Sequence, residues 1–139
     1  MATTYPKDLL LYKPTKSERI VFDELKEKLG PEYTVFYSLS WLDAEMDGKK
    51  IESECDFLIF NEKIGYLTCE VKGGIRYFKE DGRYWIQDDA LGKCHSLSRS
   101  PMEQSKESCY YFNKLYKKTN TLFIRLTYKF RRNNRTCER

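Results

Sequence analysis

Two apolar runs that each carry charge at one end constrain this chain more than any other feature. Cys55-Asp56-Phe57-Leu58-Ile59-Phe60 and Gly65-Tyr66-Leu67-Thr68-Cys69-Glu70-Val71-Lys72 are separated by Asn61-Glu62-Lys63-Ile64. Short runs of this composition read as strands, and a four-residue connection makes them an antiparallel hairpin. Asp56 opens the first strand, while Glu70 and Lys72 stand near the end of the second. Side chains alternate across a strand, so Glu70 and Lys72 point to one face. If the hairpin sets Asp56 near Glu70, two carboxylates and an ammonium converge on one patch. Burying such groups unpaired is costly. An ordinary ion pair on a half-exposed sheet and a functional cluster both meet that requirement.

The rest of the chain supplies what such a hairpin needs for cover. Phe22, Leu25 and Leu29 recur at helical spacing after Thr15-Lys16-Ser17-Glu18, and Gly30-Pro31 ends that helix. Thr34 to Trp41 is rich in β-branched and aromatic residues and predicts a strand, and polar Asp43 to Ser53 predicts a loop. Gly73-Gly74 breaks the strand that ends at Lys72. Ile75 to Phe78 and Arg83 to Gln87 flank Glu80-Asp81-Gly82, a strong hairpin signal. Ser100-Pro101 starts a second helix, with proline in its first turn, running to about Lys118, and Thr121 to Tyr128 predicts a last strand. This order gives an α/β fold, a mixed β-sheet flanked by α-helices. A length of 139 residues suits one domain with a single core.

Composition narrows the chemistry. No run of 18 apolar residues occurs, so no membrane span is expected, and the start of the chain lacks the pattern of a secretion signal. The five cysteines, at 55, 69, 94, 109 and 137, are odd in number and widely spaced, with no Cys-x-x-Cys. That pattern predicts a reduced, cytoplasmic protein with no zinc site. The single histidine, His95, makes a His-rich metal site or a Ser-His-Asp triad a poor reading.

Two carboxylates and a backbone carbonyl are hard oxygen ligands of the kind magnesium or manganese takes. Asp56 and Glu70 are the candidate carboxylates, and the carbonyl of Val71 is the candidate third ligand. Lys72 could then orient or deprotonate an attacking water and offset charge on a scissile phosphate, while the metal acidifies that water. Glu18 lies on the apolar face of the first helix and so turns towards the sheet, although Thr15-x-x-Glu18 is equally a capping box. Gln104 lines up with Tyr111 and Leu115 and could hold the substrate backbone or the water. Ser100-x-x-Glu103 is a second capping box, and a polar residue in a first turn needs no further role.

At these residues the chain resembles a known family. Ser17-Glu18-Arg19-Ile20-Val21-Phe22, Glu54-Cys55-Asp56-Phe57-Leu58-Ile59, Glu70-Val71-Lys72-Gly73-Gly74 and Pro101-Met102-Glu103-Gln104 occur in order. This arrangement looks like the nuclease-related domain, NERD, of the PD-(D/E)xK nuclease superfamily, over about residues 15 to 125. The resemblance implies a restriction-endonuclease-like sheet of four or five strands with flanking helices. It also implies metal ligation by Asp56 and Glu70, Lys72 as the catalytic lysine, Glu18 and Gln104 in support, and DNA as substrate. Ser17 departs from the glycine that often precedes the helix glutamate. The residues after Thr127 are basic where the family continues as an apolar strand. The expected layout is therefore an N-terminal extension over 1–14, the nuclease-like domain over 15–128, and a basic tail over 129–139 that is truncated or atypical.

Three functions fit this reading: a magnesium-dependent deoxyribonuclease, a nucleic-acid-binding module that does not cleave, and a protein-interaction domain on the same fold. A homodimer is compatible with each. Residues 125–139 carry six basic side chains and one acidic one, a net of +5, so the rest of a chain of net +4 is close to neutral. Such a tail suits an anionic partner, and a solvated terminus accounts for it equally well. If it binds DNA, deleting Arg131 to Arg139 should flatten the salt dependence of binding, by about one unit of slope per lost phosphate contact. Binding unchanged at every salt concentration would show the tail to be a bystander.

Overall fold

The computed structural model describes residues 1–46 and 49–119. The apolar runs form the strands expected of them. In chain order the elements are β1 (Thr3–Tyr5), α1 (Lys16–Lys28), β2 (Tyr33–Met46), β3 (Lys49–Asn61), β4 (Gly65–Cys69), β5 (Arg76–Glu80), β6 (Arg83–Gln87), β7 (Cys94–Leu97) and α2 (Pro101–Thr119). They make a mixed four-stranded sheet in the order β1-β2-β3-β4 and a three-stranded antiparallel sheet in the order β5-β6-β7. The result is an α/β fold, as the order of elements predicts.

Four sequence expectations need correction or fall outside what is described. Of the stretch expected as a loop, residues 43–46 and 49–53 are strand: β2 and β3 pair from Tyr33↔Asn61 to Asp43↔Ile51 and resume at Met46↔Lys49 past a bulge. The apolar half of the ladder sets the register, and backbone bonds carry it outward through residues that need no apolar pattern. Residues 1–14 are more than an extension. Strand β1 pairs parallel with β2, and Ala2 and Leu9 are buried in the core. β7, Cys94-His95-Ser96-Leu97 with only Leu97 partly buried, has no sequence signal. The strand expected over 121–128 and the basic tail lie outside the described residues.

The two helices cover opposite faces of the main sheet. Phe22, on α1, is buried with Val35, Tyr37 and Phe57, and Val21, Leu25 and Ile59 pack around them. On the other face, α2 is tied to β4 by polar bonds: Thr68 Oγ1 donates to the Ser105 carbonyl (2.9 Å), Ser105 Oγ to the Thr68 carbonyl (2.9 Å), and Tyr66 Oη to the Cys109 carbonyl (3.1 Å). Phe57 is opposite Cys69 and Leu58 opposite Thr68, so alternation places the two helices on different sides.

Both capping boxes form. Thr15 Oγ1 accepts from the Glu18 N–H while Glu18 Oε2 accepts from the Thr15 N–H. Ser100 Oγ accepts from the Glu103 N–H and Glu103 Oε2 from the Ser100 N–H. Ser100→Ala should therefore lower stability by about 1 kcal/mol, read as the denaturant midpoint at constant slope. The Ser100 N–H holds the Glu103 carboxyl below the usual carboxylate range. A depressed folded-state pKa stabilises above the ordinary value, near about 4, and that contribution is lost as pH falls below it. Glu103→Gln keeps an acceptor but not the charge. The wild type's advantage over it should shrink on acidification, and an advantage independent of pH would contradict this account.

Candidate active site

Asp56 sits where β2 and β3 change sides. Tyr37 packs in the α1 core, yet Trp41, which a regular strand would place on the same face, stacks on Tyr111 of α2 at 4.3 Å. Between them Ser38 has φ of 55°, a left-handed conformation that breaks the alternation. On β3, Phe57 belongs to the α1 core, while the buried Cys55 thiol donates to the Phe57 carbonyl at 3.1 Å and lies near enough to Ser108 of α2 to be influenced by it. Asp56 lies between these two residues and so is presented at the crossing.

The β3–β4 ladder ends at Phe57↔Cys69, so one further step in register brings Asp56 opposite Glu70. β4 stops there because the next bond goes to a side chain: the Val71 N–H donates to Asp56 Oδ2 at 2.7 Å. Glu70 and Lys72 thus lie just past the strand that was expected to contain them. They share a face all the same, with Lys72 Nζ 2.5 Å from Glu70 Oε1. The Glu70 side chain is 7% exposed and that of Lys72 28%. Burial pushes the Asp56 carboxyl up to about 6, with Glu70 adding to the rise and the Val71 N–H and Lys72 opposing it.

Glu18 is both the partner in the cap of α1 and a side chain turned towards the sheet. Its Oε2, already in the cap of α1, accepts from Tyr37 Oη at 2.8 Å, and its charge contributes to the raised Asp56 pKa. Sequence reasoning missed Tyr37 as its partner. The residue reads only as one aromatic in a strand, and nothing local marks the contact. Burial, followed by the Glu18 bond, holds the Tyr37 phenol well above its ordinary pKa.

Gln104 lines a cleft of about 760 Å³ together with Asp56, Glu70, Lys72, Trp41 and Tyr111. Its Nε2 donates to the Arg99 carbonyl at 3.1 Å, so it is held by its own helix start. The Trp41–Tyr111 wall is a second feature the sequence did not disclose. A smaller cleft, about 330 Å³, opens on the other side of Lys72, between Glu18, Gly73, Ile86 and His95. Lys72 borders both.

The chain matches the model of the nuclease-related domain over residues 13–128. It belongs to the nuclease-related domain family. No curated protein and no solved structure shows a match to it. The donor set of this nuclease-related domain suits a hard divalent cation. Asp56 and Glu70 bring oxygen ligands together, and the charge on Asp56, disfavoured first by burial and then by Glu70, is one that a cation would stabilise. Among the described residues no three His, Cys, Asp or Glu side chains are grouped to share a metal, so two carboxylates are what the side chains offer. Magnesium characteristically takes one or two carboxylates and fills its shell with water and phosphate oxygens. The four described cysteines are free thiols, and burial raises that of Cys55 to about 11. Among the described residues no helix is long and apolar enough to cross a membrane.

Asp56 has two structural effects that substitution separates. Asp56→Ala leaves the Val71 N–H without its acceptor, a loss of about 1–3 kcal/mol. Asp56→Asn keeps an acceptor and removes a charge that burial, with Glu70 adding to it, disfavours. In metal-free buffer at neutral pH, the Asn variant should be at least as stable as wild type and the Ala variant clearly less stable than Asn. A raised folded-state pKa stabilises at low pH and its contribution is lost as pH rises through about 6. The wild type should therefore gain on the Asn variant during acidification. Urea titrations across that range decide it, and a wild type more stable than Asn at neutral pH would refute a disfavoured Asp56 charge.

Proposed function

We propose that this domain hydrolyses phosphodiester bonds in DNA with the aid of magnesium, or manganese in its place. The observation that carries the reading is the convergence of Asp56, Glu70 and Lys72 at one end of the larger cleft, in a chain of the nuclease-related family. Asp56 and Glu70 would hold the ion, and the Val71 carbonyl would complete the protein's share of the ligands. A bound divalent ion supplies charge stabilisation at the phosphate and a more acidic water.

The chain's own groups account for the rest. Lys72, held by Glu70, is placed to orient the attacking water and to offset charge on the phosphate that develops in the transition state. The Val71–Asp56 bond fixes the carboxylate, so little reorganisation accompanies the reaction. Gln104 borders the same cleft with its amide anchored, which suits it to position the nucleic-acid backbone or the water. Glu18 acts at one remove, anchoring the start of α1 and Tyr37 beside the carboxylates.

Residues that act as one unit are non-additive. Glu70→Ala should abolish cleavage and weaken Mg²⁺ binding. Lys72→Ala should abolish cleavage and leave Mg²⁺ affinity largely intact, and the double variant should be little worse than either. Cleavage of supercoiled, linear and single-stranded DNA with Mg²⁺, Mn²⁺ and EDTA, with calorimetry for the metal, gives the answer. Wild-type cleavage by Glu70→Ala would sink the proposal. So would loss of its activity together with tens of degrees of melting temperature, since the cluster would then be structural.

A further inference from the structure

The small sheet beyond Gly73-Gly74 has one face that leads away from Lys72. Opposed residues of an antiparallel ladder share a face. Tyr77 pairs with Ile86 and Lys79 with Tyr84, and Ile86 and Tyr84 pair in turn with His95 and Leu97. These six side chains therefore form one surface. Ile86 and His95 are also walls of the smaller cleft that Lys72 borders, so the surface starts at the candidate active site.

From there it becomes an aromatic track. Tyr77 and Tyr84 stack with rings 4° from parallel and centroids 5.7 Å apart, and Lys79 Nζ lies 5.2 Å from the Tyr84 ring. Tyr77 is 48% exposed although it is a large aromatic on a sheet. Two nearby acids are engaged on the protein. Asp88 holds His95 Nδ1 at 3.0 Å, and Glu103 is engaged by the Ser100 cap. Lys79, with the Glu103 carboxylate near enough to act on it, is the cation that stands among the rings of this face.

We propose that this face binds an unpaired DNA strand on its way to or from Lys72, with bases stacked on Tyr77 and Tyr84 and a phosphate beside Lys79. Flat aromatic surfaces with interspersed cations fit bases that present their faces. A duplex hides those faces in its own stack and offers base edges and phosphates instead. The proposal builds on the nuclease reading for the site that the strand reaches, but the binding itself does not require cleavage.

The experiment uses the full chain in EDTA, with fluorescence anisotropy of a labelled oligo-dT and of a blunt duplex. Wild type should prefer oligo-dT. Tyr77→Ala and Tyr84→Ala should each weaken oligo-dT binding by about ten-fold and leave the duplex nearly unchanged. Tyr77→Phe and Tyr84→Phe, which keep the rings, should bind as wild type does. Because His95 is the only histidine, its imidazole proton signal in the wild-type protein reports on this face directly and should shift as oligo-dT is added. Alanine variants that bind oligo-dT like wild type, equal losses for strand and duplex, or an unmoved His95 signal at saturation would each overturn the proposal. Absence of Mg²⁺-dependent cleavage with these binding results intact would count against the nuclease reading and not against the track.

Discussion

A single hydrogen bond from a backbone amide to a carboxylate organises the centre of this domain. The Val71 N–H reaches Asp56 Oδ2 at 2.7 Å, one step past the last ladder pair of β3 and β4. A side chain here takes the acceptor role that a strand carbonyl would otherwise play. The chain after Cys69 is thereby released from β geometry and yet stays pinned beside β3. That is what lets Glu70 and Lys72 turn onto each other within 2.5 Å. The same bond offsets part of the cost of a half-buried Asp56, although burial still dominates and the carboxyl remains near 6. Groups held at such a cost are where function is most reasonably sought.

The second constraint is the reversal of facing at Ser38. Two helices on opposite sides of one sheet cannot both reach a site on a regular strand, because alternate residues belong to one helix or the other. With β2 and β3 switching sides near Ser38 and Asp56, α1 contributes Glu18 from one side and α2 contributes Gln104 and the Tyr111 wall from the other. Glu18 shows how economically this is done. One oxygen caps a helix and accepts from Tyr37, so helix start, core aromatic and carboxylate cluster are fixed relative to one another.

How far the sequence disclosed this depends on the range of each signal. The β3–β4 hairpin, both helices, both capping boxes and the Asp-Gly hairpin follow from local chemistry, and the structure has them all. The shared facing of Glu70 and Lys72 was expected from strand alternation, whereas the pair lies past the end of β4 and meets through its own ion pair. The outer half of the β2–β3 ribbon was not, since its pairing is inherited from a register set elsewhere and its residues look like a loop. β1 was hidden by its length of three residues and by depending wholly on β2 for its partner. The Asp56–Val71 bond, the Tyr37–Glu18 bond and the Trp41–Tyr111 stack join residues far apart in sequence by geometry alone. The Ser38 reversal could not be read either, because serine carries no preference for the left-handed region that it occupies.

Gly73-Gly74 was legible as a strand break, but its main work lies in joining the two sheets. At Gly74 φ is 109°, and an added Cβ would fall 2.4 Å from Ile86 Cγ2 and 2.9 Å from the Gln87 carbonyl oxygen. Ile86 is almost fully buried and the second obstacle is backbone, so neither can yield cheaply. A side chain at 74 is thus opposed by conformation and by space together. The close approach allows the Ile75 N–H to donate to the Gln87 carbonyl at 2.8 Å, which seals β6 against the chain leaving the site. At Gly73 a Cβ would come within 3.2 Å of Ser17 Oγ, so the same turn lies close against the first turn of α1. Lys72 precedes this junction directly. Its placement therefore depends on the small sheet and on α1 as much as on β4, which is why one lysine can border both clefts.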